Sequence, residues 1–131
     1  MSEGYKVEIV AASRELNVRE KIALKDLANA KSLDTLLNDV DSYLIQPADY
    51  VELAVHNERS KQDKDYKKYL ILDGNGEKYV TGSDSFWTAF RDIFDTMRAE
   101  APDEVYSIEV LKKPSQNYKG KSFLTCSLSL I

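Results

Sequence analysis

The stretch Ser83-Asp84-Ser85-Phe86-Trp87-Thr88-Ala89-Phe90-Arg91-Asp92-Ile93-Phe94-Asp95-Thr96-Met97 decides how the rest of the chain is read. Phe86, Phe90, Ile93, Phe94 and Met97 fall at i, i+4, i+7, i+8 and i+11, which is one apolar stripe on an α-helix. Ser83, Asp84 and Ser85 supply N-cap chemistry and place acid near the positive helix end. Pro102 lies past the other end, where a helix has to have stopped. Trp87 falls off the stripe and is not assigned to a site.

Outward from this helix the period changes to two. Tyr50 to Asn57 alternates, with Val51, Leu53 and Val55 on one face. Tyr66 to Asp73 is a second strand, fully apolar from Tyr69 to Leu72 and therefore central. Asp73-Gly74-Asn75-Gly76 is a turn, because Gly and Asn tolerate positive φ, and Glu77 to Gly82 returns as a strand. Beyond the helix, Val105 to Lys113 is a strand with Tyr106, Ile108 and Val110 facing together. Pro114 to Gly120 is a turn-rich loop. Lys121 to Leu130 closes the chain, with Leu124, Cys126, Leu128 and Leu130 facing in. At the N-terminus, Tyr5 to Ala12 alternates and reads as a strand. Residues 19–26 are harder: Ile22 and Leu24 alternate as in a strand, while the composition would also suit a helix. Leu27 to Ala30 separate this run from Lys31 to Leu37, and a hairpin is the reading adopted.

Strands, a hairpin, one helix and a second hairpin, in that order, predict an all-β domain with one helix. The expected architecture is an OB-fold-like five-stranded Greek-key barrel, with the helix between strands 3 and 4. An open α+β sheet is the alternative. The chain has 131 residues, 43% hydrophobic and 31% charged, so one domain over 1–131 with its own core is expected. No apolar run approaches the ~20 residues of a membrane span. Residues 1–6 carry no apolar signal region, so a cytoplasmic protein is expected. One cysteine excludes an internal disulfide and a Cys-rich metal site.

Catalytic signatures are lacking. Gly74-Asn75-Gly76 joins two strands and opens no helix, so it is no phosphate loop. His56 is the single histidine and lies on the polar face of a strand, which suits a surface histidine. Cys126 has inward parity and suits a buried small hydrophobe. The pairs Asp39/Asp41 and Asp103/Glu104 sit in polar loops without a second cluster, too little for a metal. No enzyme, cofactor or metal is expected.

The charge is −4 overall, which excludes a uniformly basic nucleic-acid binder, but it is segregated. Residues 34–57 hold Asp34, Asp39, Asp41, Asp49 and Glu52 and no Lys or Arg, and residues 84–104 are also acidic. Residues 105–131 hold Lys112, Lys113, Lys119 and Lys121 against Glu109. Folding could gather the basic segments on one face. Aromatics are interleaved with these lysines. Tyr118 lies in the loop, Phe123 has outward parity in the last strand, and Tyr66 and Tyr69 flank Lys67 and Lys68. Aromatic faces stack bases and lysines neutralise phosphates, as a single-stranded nucleic-acid platform requires. The expected site is therefore Tyr66, Tyr69, Tyr118 and Phe123 for stacking, with Lys67, Lys68, Lys112, Lys113, Lys119 and Lys121 on phosphates. The same pattern would serve tyrosines that cover strand edges and lysines that keep them soluble.

Several segments carry a family resemblance. His56-Asn57-Glu58, Tyr79-Val80-Thr81-Gly82-Ser83 with Phe86-Trp87, the run from Pro114-Ser115-Gln116-Asn117-Tyr118 through Lys119-Gly120-Lys121-Ser122-Phe123 to Leu124-Thr125-Cys126, and Arg19 to Asp26 resemble small single-stranded DNA-binding proteins of phages and mobile elements in Gram-positive bacteria. The resemblance implies an OB-fold that coats single-stranded DNA without strong sequence preference in replication or recombination, with Asn117 to Phe123 carrying the binding. Replication or recombination proteins are the implied protein partners. The apolar ending Thr125 to Ile131 departs from the acidic tail with which many such proteins recruit partners. Leu128-Ser129-Leu130-Ile131 instead suggests a homodimer. The rival function is a protein-interaction module that uses the acidic blocks, including Asp92 and Asp95, to bind a host factor or mimic DNA.

Overall fold

The computed structural model describes residues 5–25, 30–59, 64–114 and 122–129. In chain order they form β1 (Tyr5–Ala12), α1 (Val18–Lys25), β2 (Lys31–Ser32), α2 (Leu33–Asp39), β3 (Ser42–Ile45), β4 (Pro47–Asn57), β5 (Asp65–Asp73), β6 (Lys78–Thr81), α3 (Asp84–Glu100), β7 (Ser107–Pro114) and β8 (Ser122–Ser129). Strands hold 49% of the described residues and helices 29%, so the fold is mostly β, with more helix than the sequence led us to expect.

α3 forms where its stripe predicts. Ser83 Oγ accepts from the Phe86 N–H at 3.2 Å, satisfying one of the orphan donors of the first turn. Phe86, Phe90 and Phe94 are buried as expected, and Trp87 joins them. Tyr50 of β4 meets Trp87, Phe90 and Phe94 edge-on, at centroid distances of 5.4, 6.0 and 5.1 Å, a favoured aromatic geometry. Around this cluster pack Tyr69 and Ile71 of β5, Tyr79 of β6, Ile108 and Val110 of β7, and Leu124 and Cys126 of β8. The helix thus joins the inner faces of two sheets.

The larger sheet runs β1-β4-β5-β6-β2 and the smaller β3-β7-β8. Gln46 alone separates β3 from β4, yet β3 pairs with β7 and β4 with β1 and β5. One stretch of chain therefore passes from one sheet to the other at this corner, where Gln46 C=O accepts from the Gly74 N–H at 3.3 Å. The expected five-stranded barrel with one helix is corrected: the described residues form eight strands in two sheets, with three helices and no closed barrel. The cause is edge occupancy. The second edge of β6 is taken by β2, in parallel, and among the described residues β8 has only β7 as its strand neighbour while α3 lies against it. The alternative, an open α+β sheet, is met in part: the strands stay open and three helices accompany them, but they lie in two sheets.

The hairpin expected from residues 19–26 to Lys31–Leu37 is also corrected: residues 18–25 are α1, the helix that their composition also suited, and residues 33–39 are α2. A reciprocal capping box starts it. Asn17 Oδ1 accepts from the Glu20 N–H at 2.8 Å, and Glu20 Oε1 accepts from the Asn17 N–H at 3.2 Å. Leu16 and Leu24 reach from this region to Val51, Leu53 and Leu70, on the side of the larger sheet away from α3. The strands expected over 5–12, 50–57, 66–73 and 77–82, and the Asp73–Gly76 turn, form, with Gly76 at φ +88°. Leu128, read as inward, is instead exposed. Leu130 and Ile131 lie outside the described residues.

Candidate nucleic-acid interface

Lys113 and Phe123 face each other directly across the β7–β8 ladder. Side chains opposite each other in an antiparallel pair share a face, and both are exposed here. Phe123 is 39% exposed, rare for so large an apolar ring. On the same face Leu111 stands opposite Thr125 and Ser42, and Leu44, 52% exposed, stands opposite Glu109. The outer side of the small sheet therefore sets Leu44 and Leu111 among Ser42, Thr125, Glu109 and Ser127, with a lysine and an aromatic ring at one end. Glu109 is the one carboxylate that pairing places on this face among the described residues.

A second basic–aromatic pair lies on the larger sheet. Tyr66 and Lys68 are two apart on β5, so they share a face, with the Lys68 Nζ 5.9 Å from the Tyr66 ring centroid. They stand across from Val55 and Leu53. Lys112 is exposed but tethered: its Nζ donates to Asn38 Oδ1 of α2 at 3.2 Å. Two expected site residues are corrected. Lys67 points to the other face of β5 and pairs with Glu52 Oε2 at 3.0 Å, so its charge is already met. Tyr69 is buried in the core, its ring stacked on Trp87 at 4.6 Å and its hydroxyl donating to Asp84 Oδ1. It offers no face for a base. Tyr118, Lys119 and Lys121 lie outside the described residues.

Trp87 and Glu52 were missed by sequence reasoning. Trp87 Nε1–H donates to Glu52 Oε1 at 3.0 Å, and Glu52 passes the contact on to Lys67. A buried indole needs such an acceptor. The signal was available: Glu52 shares the inward parity of Tyr50, so a carboxylate there called for a donor.

A separate titratable cluster surrounds His56. Its Nδ1 meets Asp65 Oδ1 and its Nε2 meets Glu58 Oε1, each at 2.6 Å, and Lys64 Nζ donates to Glu58 Oε2 at 3.1 Å. With both ring nitrogens facing carboxylates, the imidazolium is favoured. The hydrogen bond to Asp65 and then that to Glu58 raise its pKa above the ordinary 6.5. His56 borders an open groove of about 400 Å³ with Lys6, Glu8, Ala54 and Lys67. Its charges alternate in sign, Lys6 pairing with Glu8 at 2.7 Å, so it focuses no field on an anion. Because the folded pKa is raised, the stabilisation by His56 is fully present below the unfolded value near 6.5 and is lost as pH rises through the folded value. NMR titration of the His56 ring should show a midpoint above 6.5 that falls in Asp65→Asn. A midpoint at or below the ordinary value in the unaltered protein would remove the clamp.

Cys126 is buried and desolvation pushes its thiol up to about 12, so it stays protonated and inert at neutral pH. Among the described residues no group of three or more His, Cys, Asp or Glu could hold a metal ion, and no helix is long and apolar enough to cross a membrane. No protein-family model, curated protein or solved structure matches the chain.

Proposed function

We propose that this chain binds single-stranded DNA without strong sequence preference, with the outer face of β7 and β8 as its platform. The observation that carries this is the Lys113–Phe123 pair: an exposed ring and a cation side by side across one ladder, at the end of the outer face of the small sheet. A base can stack on the ring while the ammonium meets the adjoining phosphate. Two further features support it. The order β4-β5-β6-α3-β7-β8, a meander followed by a helix and a hairpin, matches that of an OB fold. The family resemblance points the same way, and with it to the coating of single strands in phage or mobile-element replication or recombination. No catalytic step is part of this proposal.

Fluorescence anisotropy of labelled oligo-dT, at low and at physiological salt with duplex DNA as control, tests it. Binding should be confined to the single strand, and log K should fall linearly with log salt by about 0.7 for each phosphate neutralised. No binding at low salt, or equal binding to duplex, would overturn it.

A further inference from the structure

Gly82 is a glycine that the fold does not require. Its φ is not positive, Gly76 being the one positive-φ glycine among the described residues. A Cβ built on it would meet nothing closer than the Lys68 Nζ at 3.7 Å and the Lys67 C=O at 3.8 Å, both ordinary contacts. It is exposed, at the end of β6. A glycine demanded neither by backbone conformation nor by packing leaves one local consequence, a bare stretch of main chain that another molecule can approach closely.

What lies on either side gives that bare stretch a use. On one side are Lys68 and, beneath its ammonium, the Tyr66 ring. On the other, Ser83 Oγ meets Ser85 Oγ at 3.0 Å, and Ser85 Oγ donates to the Leu124 C=O at 2.8 Å. Leu124 follows Phe123, which faces Lys113. A line of neighbouring groups, joined by hydrogen bonds and by adjacent positions along the chain, therefore runs from one basic–aromatic pair to the other, with Gly82 and two serine hydroxyls between them. The neighbouring carboxylates are held elsewhere: Asp84 accepts from Tyr69 and Glu52 pairs with Lys67 and Trp87, on the face of β5 opposite Lys68, and Asp34 accepts from Thr81.

We propose that single-stranded DNA crosses the main chain of Gly82, so that one path joins Phe123 and Lys113 on the small sheet to Tyr66 and Lys68 on the large one. This rests on the single-strand binding proposed above and adds its course and extent. A short oligonucleotide occupies the Phe123 end alone, while a longer one engages both pairs.

The test compares oligo-dT of about 6 and about 20 nucleotides, one near the short end of the usual footprint of about 4–16 nucleotides and one beyond its long end. It uses the full chain and the variants Gly82→Leu, Tyr66→Ala, Lys68→Ala and Phe123→Ala, with thermal melts as the folding control. Phe123→Ala should weaken both lengths. The other three should each cut the affinity advantage of the longer strand roughly tenfold. Gly82→Ala, whose single added carbon has room, replaces Gly82→Leu should the latter not fold. A folded Gly82→Leu that keeps the full length advantage, while Phe123→Ala still weakens binding, overturns the path and leaves single-strand binding standing. If the unaltered chain binds neither length, both fall together.

Discussion

Replacing Phe90 by alanine is expected to remove about 3–5 kcal/mol of folding stability, the range for emptying a buried aromatic site. Phe90 is fully buried, stacks between Phe86 at 6.0 Å and Trp87 at 5.2 Å, and presents its ring to the edge of Tyr50. These neighbours come from a helix and from the central part of the large sheet, so the site cannot collapse without moving both. A domain of this size is typically stable by about 5–15 kcal/mol in total, so this one change approaches the threshold of unfolding. Urea titration followed by far-UV circular dichroism measures it. A loss below about 1 kcal/mol would mean that α3 does not form the junction between the sheets.

Phe123→Ala is expected to leave stability nearly intact and to cost about 1–3 kcal/mol of affinity for oligo-dT, the worth of one stacked base. The ring is 39% exposed, so little burial is lost with it. Lys113→Ala should act differently. Removing one phosphate contact weakens binding and reduces the salt slope by about 0.7. The two effects separate stacking from charge neutralisation at neighbouring positions on one face. A folded Phe123→Ala protein that binds as the unaltered chain does would place the interface elsewhere.

Local pattern and non-local pairing were not equally legible. The Phe86–Met97 stripe and the alternation of Val51, Leu53 and Val55 report their own elements, because the 3.6 and 2.0 periods are set by backbone geometry alone. α1 was not legible in that way. Val18 and Ile22 are exposed, at 72% and 68%, so no apolar stripe marks it. Its signature was the Asn17-x-x-Glu20 box, a capping signal easily overlooked beside an apparent alternation. Whether the strands close could not be read from the chain at all, since it depends on β2, two residues long, occupying the edge of β6. At the interface, the lysines around Tyr69 drew it into the site. Its parity with the apolar Ile71 gave the better answer, and the same period-two rule pairs Tyr66 with Lys68 and opposes both to Lys67.

The corner at Gln46 bears on how the molecule comes apart. Because Ser42 to Asn57 runs through both sheets with one residue between β3 and β4, the small sheet cannot peel away without pulling on the central strands of the large one. Amides of β7 and of β5 are then expected to exchange through one shared global opening, which native-state hydrogen exchange would check. The proposed surface for a flexible, sequence-variable polymer is thus tied through the chain to the central strands of the large sheet. An ordered platform has less side-chain and loop freedom to lose when a strand settles on it.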